Sequence, residues 1–361
     1  MPKEIKKDTI LQGDCLEVLK KIPSNFVDLI FADPPYNMQT EGELLRTDGS
    51  SFNGVDDVWD KFSSLQEYDF FTKQWLTECH RVMKPDASIW VIGSFQNIFR
   101  LGYIMQDIGF WILNDVIWSK PNAVPNFGGT RFQNSHETLI WCSKNKGAKY
   151  HFNYKTMKFL NGNKQMKSVW DLGICIGNER LKDKNGKKIH STQKPEQLLY
   201  NVILSSTQRG DLILDPFFGT GTTGAVAKRL DRHFIGIERE VLYIKAAKER
   251  INSIQLDLTP DLINNAYDVK PPRISIKKLL ELGYLQIGQR LFSKDKKHYV
   301  IVCESGNVMI DSVETSIHKA SAKLLNRSNN NGWDYFWCDY NNEFVTIDSL
   351  RYLANEKGGT K

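Results

Sequence analysis

The chain has 361 residues, of which 41% are apolar and 25% carry a charge. These values are ordinary for a folded globular protein and allow one large domain, or one domain plus a small one. There is no apolar run of about 18 residues, and the N-terminus has no apolar signal core, so we expect no membrane span and a cytoplasmic protein. The six cysteines are scattered without a C-x-x-C pair, which argues against a metal site and a disulfide framework.

The net charge is +6, and the basic excess lies mainly in one segment. From Lys144 to Lys194 the chain carries 13 Lys or Arg against 3 Asp or Glu, whereas the rest of the chain is slightly acidic. A basic block in an otherwise neutral protein indicates contact with nucleic acid. A solvated lysine-rich loop has the same composition, so charge alone leaves both interpretations open.

The first part of the chain alternates buried strands with helices. Val27–Ala32 predicts a short buried strand, and a helix is predicted around residues 66–83, with Pro85 just beyond its end. Further strands are predicted at Ser88–Gly93, Trp111–Trp118 and His136–Trp141. Buried runs separated by helices indicate a mostly parallel, doubly wound α/β sheet with helices on both faces.

Residues 144–190 interrupt this alternation. They are rich in Lys, Asn and Gly, and we expect an insertion with little regular structure. Aromatic residues are interleaved with the lysines: Tyr150, Phe152, Tyr154, Phe159 and Trp170. Such rings can stack on a base that has left the duplex, and the lysines can neutralise phosphates.

The α/β pattern resumes after the insertion. Helices are predicted at 195–207, after Gly221 and at 240–253, and strands at Leu212–Leu214 and Phe234–Ile237. Residues 257–273 contain several Pro and Asn residues and predict a linker. Residues 274–361 predict a small α+β domain, with strands at Tyr299–Cys303 and Phe344–Ile347.

A glycine-rich turn follows the predicted strand at Leu212–Leu214. The run Asp215-Pro216-Phe217-Phe218-Gly219-Thr220-Gly221-Thr222-Thr223-Gly224 leads into a helix, whose free N–H groups can face an anion. Glu238 ends the next strand, where a carboxylate usually holds ribose hydroxyls. The motif fits a nicotinamide dinucleotide or S-adenosylmethionine, or a turn that serves only packing. Asp215 favours S-adenosylmethionine, because a carboxylate repels pyrophosphate but attracts an amine and a sulfonium.

A second motif, Asp33-Pro34-Pro35-Tyr36, follows the predicted strand at Val27–Ala32, at the edge where α/β sheets bind ligands. The lone pair of adenine N6 is delocalised into the ring, so two acceptors on its hydrogens would favour a pyramidal, nucleophilic nitrogen. The Asp33 carboxylate and the Pro34 carbonyl can supply them, and Tyr36 can stack on a flipped base. Taken alone, D-P-P is also ordinary loop sequence.

With both motifs in this order, the chain resembles the β-class amino methyltransferases of DNA over nearly its whole length. It is most similar to the GANTC-methylating adenine enzymes of the HinfI modification and cell-cycle methylase type. The resemblance implies a class I methyltransferase fold, Rossmann-like, in residues 1–256, with a target-recognition insertion at 144–190. It also implies a linker at 257–273 and a DNA-binding accessory domain at 274–361. The expected reaction is methyl transfer from S-adenosylmethionine to adenine N6, by base flipping and direct displacement.

The resemblance also implies the site residues. Asp33, Pro34, Pro35 and Tyr36 are the expected catalytic residues. The expected cofactor-binding residues are Asp14, Cys15, Asp33, Thr192, Gln193, Lys194, Asp215, Phe217, Gly219, Gly221, Thr222, Thr223 and Glu238. The expected DNA-binding residues are Gln39, Arg46, Asn126, Arg131, His136, His318, Lys319, Asn330, Asn331 and Trp333.

For some of these residues, a role without any ligand also fits the sequence. Lys194 also fits an ordinary surface lysine, His136 a core histidine and Trp333 a core tryptophan. The loop with Gln39 and Arg46 could merely cover the site, and His318 and Lys319 could be surface residues without a ligand.

The expected partners are double-stranded DNA, a second copy of the chain, and a restriction endonuclease that acts on the same site without a stable complex. The resemblance places such an enzyme in the bacterial cytoplasm, associated with the nucleoid through DNA. Three rival functions stay open: N4-cytosine methylation, DNA binding without turnover, and nicotinamide-dependent oxidation. Asp33 argues against the first, because that group usually has Ser at this position. Nicotinamide-dependent oxidation does not explain the D-P-P-Y motif.

Overall fold

A computed structural model describes residues 5–37, 44–45, 51–52, 60–126, 129–255, 273–341 and 343–358. The chain forms two compact units, residues 1–268 (unit 1) and 269–361 (unit 2). In the described parts of both units, no helix is long and apolar enough to cross a membrane.

Unit 1 is built on an eight-stranded sheet. In chain order, the strands of unit 1 are β1 (Thr9–Gln12), β2 (Val27–Ala32), β3 (Leu44–Leu45), β4 (Ser51–Phe52), β5 (Met83–Gly93), β6 (Trp111–Ser119), β7 (His136–Ser143), β8 (Val169–Asp171), β9 (Leu212–Asp215) and β10 (His233–Glu238). Strands β3 and β4 form a separate short antiparallel pair, and the other strands form the large sheet. The large sheet has the order β1-β10-β9-β2-β5-β7-β6-β8. Neighbouring strands are parallel, except that β7 runs antiparallel to β5 and β6. The predicted mostly parallel sheet is confirmed.

Helices cover both faces of this sheet. They are α1 (Cys15–Leu19), α2 (Leu65–Val82), α3 (Ile98–Ile108), α4 (Tyr154–Leu160), α5 (Glu196–Ser206), α6 (Thr222–Arg229) and α7 (Val241–Ser253). Successive strand residues point to opposite faces, so Ile30 and Ile89 pack with α1, α2 and α3, whereas Leu29 and Trp90 pack with α5, α6 and α7. The doubly wound arrangement therefore follows from near-continuous apolar strands that are buried on both sides.

The insertion departs from its prediction, because residues 144–190 contain α4 and β8. Strand β8 adds to the sheet in parallel with β6. Trp170 on β8 is buried, and its ring lies 5.7 Å from that of Trp90. Tyr150 and Phe152 contact the Trp141 ring. The expectation of little regular structure was therefore wrong for part of this segment, which contains a helix and a strand, and of its aromatic residues Trp170 joins the core.

Unit 2 is an antiparallel sheet with helices packed against its core face. Its strands are β11 (Arg290–Ser293), β12 (Tyr299–Val302), β13 (Val308–Ile310), β14 (Val313–Thr315), β15 (Phe336–Tyr340) and β16 (Glu343–Thr346), in the order β14-β13-β12-β11-β15-β16. Its helices are α8 (Ile276–Glu281), α9 (Ile317–Leu324), α10 (Gly332–Tyr335) and α11 (Ile347–Gly358). The core joins Leu291, Val300 and Phe336 of the strands to Leu279 and Leu350 of the helices. Both predicted strands are present, and the second ends before Ile347, where α11 begins.

Candidate active site

The two motifs meet at one edge of the sheet. Asp33 directly follows β2, Asp215 ends β9, and β2 pairs in parallel with β9, so both strands end at the same edge. A cavity of about 330 Å³ opens there and is lined by both carboxylates. Its volume lies at the lower end of the range for small-molecule sites. The sheet topology therefore brings together two motifs that are far apart in sequence.

Each oxygen of the Asp33 carboxylate has a side-chain partner. The Tyr36 hydroxyl lies 2.9 Å from Asp33 Oδ1, and Lys194 Nζ donates to Asp33 Oδ2 at 2.7 Å. Lys194 Nζ also lies 5.2 Å from the centre of the Tyr36 ring. Lys194 is 7% exposed, so its contact with Asp33 is largely shielded from solvent. Lys194 lines the cavity, its amine is paired with Asp33 of the D-P-P-Y motif, and its cofactor contact stays a prediction.

Glu137 extends this cluster from the neighbouring part of the sheet. Its Oε2 lies 3.0 Å from the Tyr36 hydroxyl and 3.8 Å from Lys194 Nζ. Lys120 pairs with the other oxygen of Glu137. The Tyr36 hydroxyl thus contacts two carboxylates, each of which is paired with a lysine.

The pKa values of this cluster reflect burial opposed by charge. Burial raises the pKa of Asp33, although Lys194 opposes the shift. Burial would also raise the pKa of Glu137, but Lys194 and Lys120 lower it below its usual value. Burial would lower the pKa of Lys194, but Asp33 and Glu137 raise it. Burial thus opposes ionisation of both carboxylates and the lysines favour it, with a raised pKa for Asp33 and a lowered pKa for Glu137 as the net result.

The backbone of the Asp33–Tyr36 turn is held from α2 and α3. The Tyr68 hydroxyl donates to the Pro35 carbonyl at 3.1 Å, and Asn97 Nδ2 donates to the Tyr68 oxygen at 3.0 Å. On the far side of the turn, Asn37 N donates to Asp60 Oδ1 at 2.8 Å. Because Pro residues also restrict the backbone angles, the Pro34 carbonyl has a defined direction.

Asp215 supplies a buried carboxylate to the same cavity. Thr223 Oγ1 donates to its Oδ2 at 2.6 Å, and Phe217 N donates to its Oδ1 at 2.9 Å. Burial raises the pKa of Asp215 to about 7 despite these bonds. A cationic ligand group would stabilise the ionised form, which is the chemistry expected of the amine and sulfonium of S-adenosylmethionine.

Glu238 is oriented by backbone N–H groups. Gly219 N donates to its Oε2 at 2.7 Å, while Arg239 N and Glu240 N each donate to its Oε1 at 2.8 Å. A carboxylate oxygen accepts more than one hydrogen bond, so acceptor capacity remains for ribose hydroxyls. Asp215 and Glu238 therefore fit the two ends of S-adenosylmethionine that the sequence assigns to them.

All the predicted cofactor residues except Gly221 line this cavity. Gly221 has φ 75°, and an added Cβ would lie 2.8 Å from Ala247 Cβ, so this glycine allows close packing of α6 against α7. The structure thus gives Gly221 a packing role, and its cofactor contact stays a prediction. Gly219 differs, since a Cβ there would meet the His190 ring inside the cavity.

Two of the predicted cofactor residues, Gln193 and Thr222, form hydrogen bonds within the protein. Gln193 Nε2 donates to the Glu179 carbonyl at 2.8 Å, and Gln193 Oε1 accepts from Leu181 N at 3.0 Å. Thr222 Oγ1 accepts from Arg250 at 2.9 Å. The side chains of Gln193 and Thr222 thus border the cavity while bonding to the protein, and their cofactor contacts stay predictions.

Three of the five DNA contacts predicted in unit 1, Asn126, Arg131 and His136, lie within the described residues. Gln39 and Arg46 lie outside the described residues. Asn126 Nδ2 donates to the Arg131 carbonyl at 2.8 Å, and the guanidinium of the exposed Arg131 lies 5.3 Å from the Phe95 ring. His136 is exposed at the start of β7, so its alternative reading as a core histidine was wrong.

In unit 2, several predicted DNA contacts stabilise the fold. His318 Nδ1 accepts from Gly332 N at 3.1 Å, and Asn331 caps α10 by accepting from Trp333 N at 3.3 Å. Trp333 packs against the core, with the Arg351 guanidinium 4.4 Å from its ring. The side chain of Lys319 is exposed, and Asn330 is half-buried.

Glu137 and His190 lie in segments that the family resemblance covers, but neither they nor Lys120 were among the predicted site residues. Glu137 and Lys120 come from β7 and the end of β6, and His190 lines the cavity beside Gly219. Burial lowers the pKa of His190 to about 4, so it is neutral, and its Nδ1 accepts from Thr192 N at 3.1 Å. The available signals were indirect: Glu137 is a charged residue within a predicted strand, and His190 lies two residues before Thr192, the first of three consecutive predicted cofactor residues.

Comparison with known proteins gives concordant matches. A protein-family model described as DNA methylase matches residues 27–249. The chain is 60% identical over 345 residues to Type II methyltransferase M.HinfI of Haemophilus influenzae, and the match covers 96% of each protein. It is 43% identical over 250 residues to Type II methyltransferase M2.LlaDCHI of Lactococcus lactis subsp. cremoris, which covers 68% of this chain and 90% of that relative.

Two solved structures resemble a large part of the chain. The M1.HpyAVI–SAM complex is 27% identical with a TM-score of 0.50, and the match covers 68% of this chain and 98% of that one. The cytosine-N4-specific PvuII DNA methyltransferase is 23% identical with a TM-score of 0.54, and the match covers 73% of this chain and 93% of that one. The second likeness concerns the fold alone.

Proposed function

The chain belongs to the DNA methylase family and is an S-adenosylmethionine-dependent DNA methyltransferase, and from this premise we propose that it methylates N6 of adenine in a short specific site. The observation that carries this proposal is the shared cavity, in which Asp33 and Tyr36 lie beside Asp215 and Glu238. A base-binding motif and a cofactor-binding motif with one common cavity are what a direct displacement requires.

In this proposal, Asp215 and Glu238 hold the cofactor, which supplies an electrophilic methyl group on its sulfonium. Asp33 accepts one N6 hydrogen of the flipped adenine, and the Pro34 carbonyl accepts the other. Because Lys194 Nζ is bonded to Asp33 Oδ2, adenine either shares this oxygen with Lys194 or displaces the amine. Tyr36 stacks on the base, and its hydroxyl stays bonded to the carboxylates of the cluster.

N4-cytosine methylation is the closest alternative, since its target is also an exocyclic amine. The choice of adenine rests on Asp33, which stands where the cytosine-modifying group usually has Ser. A DNA-binding protein without turnover is the second alternative. The complete set of Asp33, Tyr36, Asp215 and Glu238 around one cavity argues against it.

We further propose GANTC as the target sequence, on the basis of the family resemblance. The basic segment from Lys144 to Lys194 supports contact with the DNA backbone. The proposed partners include a second copy of the chain and a restriction endonuclease with the same target. Exposed Phe99 and Tyr103, one turn apart on α3, support the self-association. The proposed location is the bacterial cytoplasm, at the nucleoid.

The deciding experiment is methylation of unmodified duplex DNA by the purified protein, followed by nucleoside mass spectrometry and sequencing that detects modified bases. N6-methyladenine at GANTC alone supports both parts of the proposal, and adenine methylation elsewhere contradicts only the target sequence. Methylcytosine contradicts the interpretation of Asp33. Asp33→Ala is the matched control. If wild type and Asp33→Ala are both inactive, the proposal of methyl transfer at this site fails.

A further inference from the structure

The Lys194 amine lies near two carboxylates but is within hydrogen-bond distance of only one. Its Nζ is 2.7 Å from Asp33 Oδ2 and 3.8 Å from Glu137 Oε2. Among the described residues, no other carboxylate pairs with this amine. Both carboxylates raise the pKa of Lys194. A movement of about 1 Å would bring the amine to the distance of a charge-assisted hydrogen bond with Glu137.

Little solvent reaches these three side chains. Those of Lys194, Glu137 and Asp33 are 7%, 13% and 18% exposed. Because a buried charge without a partner is costly, an ammonium group that leaves Asp33 needs another acceptor within the protein. Glu137 Oε2 is the carboxylate oxygen that lies close enough to serve as this acceptor.

The Tyr36 hydroxyl connects the two carboxylates but has a single hydrogen. It lies 2.9 Å from Asp33 Oδ1 and 3.0 Å from Glu137 Oε2, and it donates to one of them at a time. Lys120 and Lys194 donate to the remaining oxygens, Glu137 Oε1 and Asp33 Oδ2. In these contacts three donor groups serve four carboxylate oxygens, so one oxygen faces the hydroxyl without receiving a hydrogen. One further N–H group would complete the set.

We propose that Glu137 is a positioning residue for methyl transfer, which accepts the Lys194 amine when the flipped adenine binds Asp33. An N6 hydrogen of adenine replaces Lys194 at Asp33 Oδ2, and the amine moves to Glu137 Oε2. The Tyr36 hydroxyl then turns its hydrogen to Asp33 Oδ1, so that every oxygen of both carboxylates has a donor. The inference rests on the proposed function, in which Asp33 accepts an N6 hydrogen.

This exchange changes the electrostatic environment of the reacting nitrogen. N6 gains positive charge as its bond to the methyl group forms, and a carboxylate that is not bonded to an ammonium group stabilises this charge more strongly. Before adenine binds, the same ammonium group holds Asp33 in place. The displaced amine stays close enough to oppose protonation of Asp33, and its three N–H groups leave room for a cofactor contact. Glu137 thus acts through Lys194.

The first test measures single-turnover methylation by the full-length protein and by Glu137→Gln, which keeps the side-chain size but removes the charge. The rate should fall about a hundredfold, because Lys194 stays bonded to Asp33 and N6 is held out of position. Glu137→Asp keeps the charge and should restore part of the rate. In Lys194→Gln no ammonium group needs an acceptor, so adding Glu137→Gln should lower the rate little further.

A matched duplex separates this role from general damage to the site. 2-Aminopurine in place of the target adenine has no amine at position 6, so nothing displaces Lys194 from Asp33. Glu137→Gln should weaken binding of the adenine duplex about tenfold and leave that of the 2-aminopurine duplex unchanged. Glu196→Gln is the control variant, since Glu196 Oε1 lies 2.7 Å from the buried Arg250 but Glu196 is not among the described residues that line the cavity. It should affect both duplexes alike.

A second variant covers the loss of stability that Glu137→Gln causes by leaving Lys120 without its partner. Glu137→Gln combined with Lys120→Met removes both buried charges. Compared with Lys120→Met alone, this double variant should show the same loss of rate and the same selective loss of adenine binding. Urea unfolding gives the folded fraction of each variant, to which its rate is normalised.

The inference is overturned if Glu137→Gln methylates adenine as fast as the wild type, or if its loss of rate is equally large in Lys194→Gln. Equal weakening of the adenine and 2-aminopurine duplexes overturns it as well. If the wild type methylates adenine normally, any of these results makes the inference fail alone. If the wild type methylates no adenine, the proposed function fails and the inference fails with it.

Discussion

Lys194 Nζ lies 2.7 Å from Asp33 Oδ2, so the acceptor of the D-P-P-Y motif already has a cationic partner within the protein. Lys194 lowers the pKa of Asp33, and Asp33 in turn raises that of Lys194. Lys194 therefore opposes the effect of burial, which on balance still raises the pKa of Asp33. In the proposed function, this contact gives Lys194 a positioning role at the reacting base, in addition to its predicted contact with the cofactor.

Lys194→Met should shift the acid limb of the kcat–pH profile to higher pH. Removing the ammonium group removes the interaction that lowers the pKa of Asp33, so a larger fraction of Asp33 is protonated at a given pH. The measurement is single-turnover methylation across a pH series at saturating cofactor. Lys194→Arg keeps the charge and should restore the profile in part, whereas an unshifted profile in Lys194→Met would contradict the role.

Glu137→Gln should lower the free energy of unfolding by about 3 kcal/mol, because it leaves Lys120 buried without its carboxylate partner. Urea unfolding followed by tryptophan fluorescence provides the measurement. Adding Lys120→Met should recover part of the loss, since the double variant removes both charges. The exposed pair of Glu17 and Lys20 is the control, and Glu17→Gln should change little. Equal effects of Glu137→Gln and Glu17→Gln would exclude a buried ion pair.

The affinity for S-adenosylmethionine should increase as the pH rises through about 7, the pKa of Asp215. A cationic ligand binds the ionised carboxylate, and ionisation becomes more complete above that value. The stability of the ligand-free protein should change with pH in the opposite direction. Because burial raises the pKa of Asp215, its contribution to stability is present at low pH and lost as the pH rises through about 7. Calorimetric titration across this range checks the binding, and Asp215→Asn should flatten the dependence. If the slope persists in Asp215→Asn, another group is responsible.

Gly221→Ala should destabilise unit 1 more than Gly162→Ala. Both glycines have positive φ, 75° and 60°, but only an alanine at 221 would bring Cβ within 2.8 Å of Ala247 Cβ, whereas nothing lies within 4 Å at 162. The difference in the free energy of unfolding should be about 2 kcal/mol, from the overpacking alone. Urea unfolding of both variants measures it, and equal losses would show that backbone strain, and not packing, explains Gly221.

The sequence by itself determined the order of elements and the two motifs. The apolar run Val27–Ala32 forms a strand with these bounds, and the helix predicted around 66–83 is α2, Leu65–Val82. Such features follow from local periodicity and from the positions of Pro and Gly, so they need no knowledge of distant contacts. The membership of the chain in the DNA methylase family likewise follows from motifs that are short, local and ordered.

Only the tertiary structure decided which side chains meet. Tyr36 and Glu137 are 101 residues apart, and Asp33 and Lys194 are 161 residues apart, yet their polar atoms lie within hydrogen-bond distance. Trp170, in a segment expected to be irregular, is buried because β8 extends the sheet. Strand order and register fix these contacts, and they depend on the packing of the whole sheet, which no local pattern encodes.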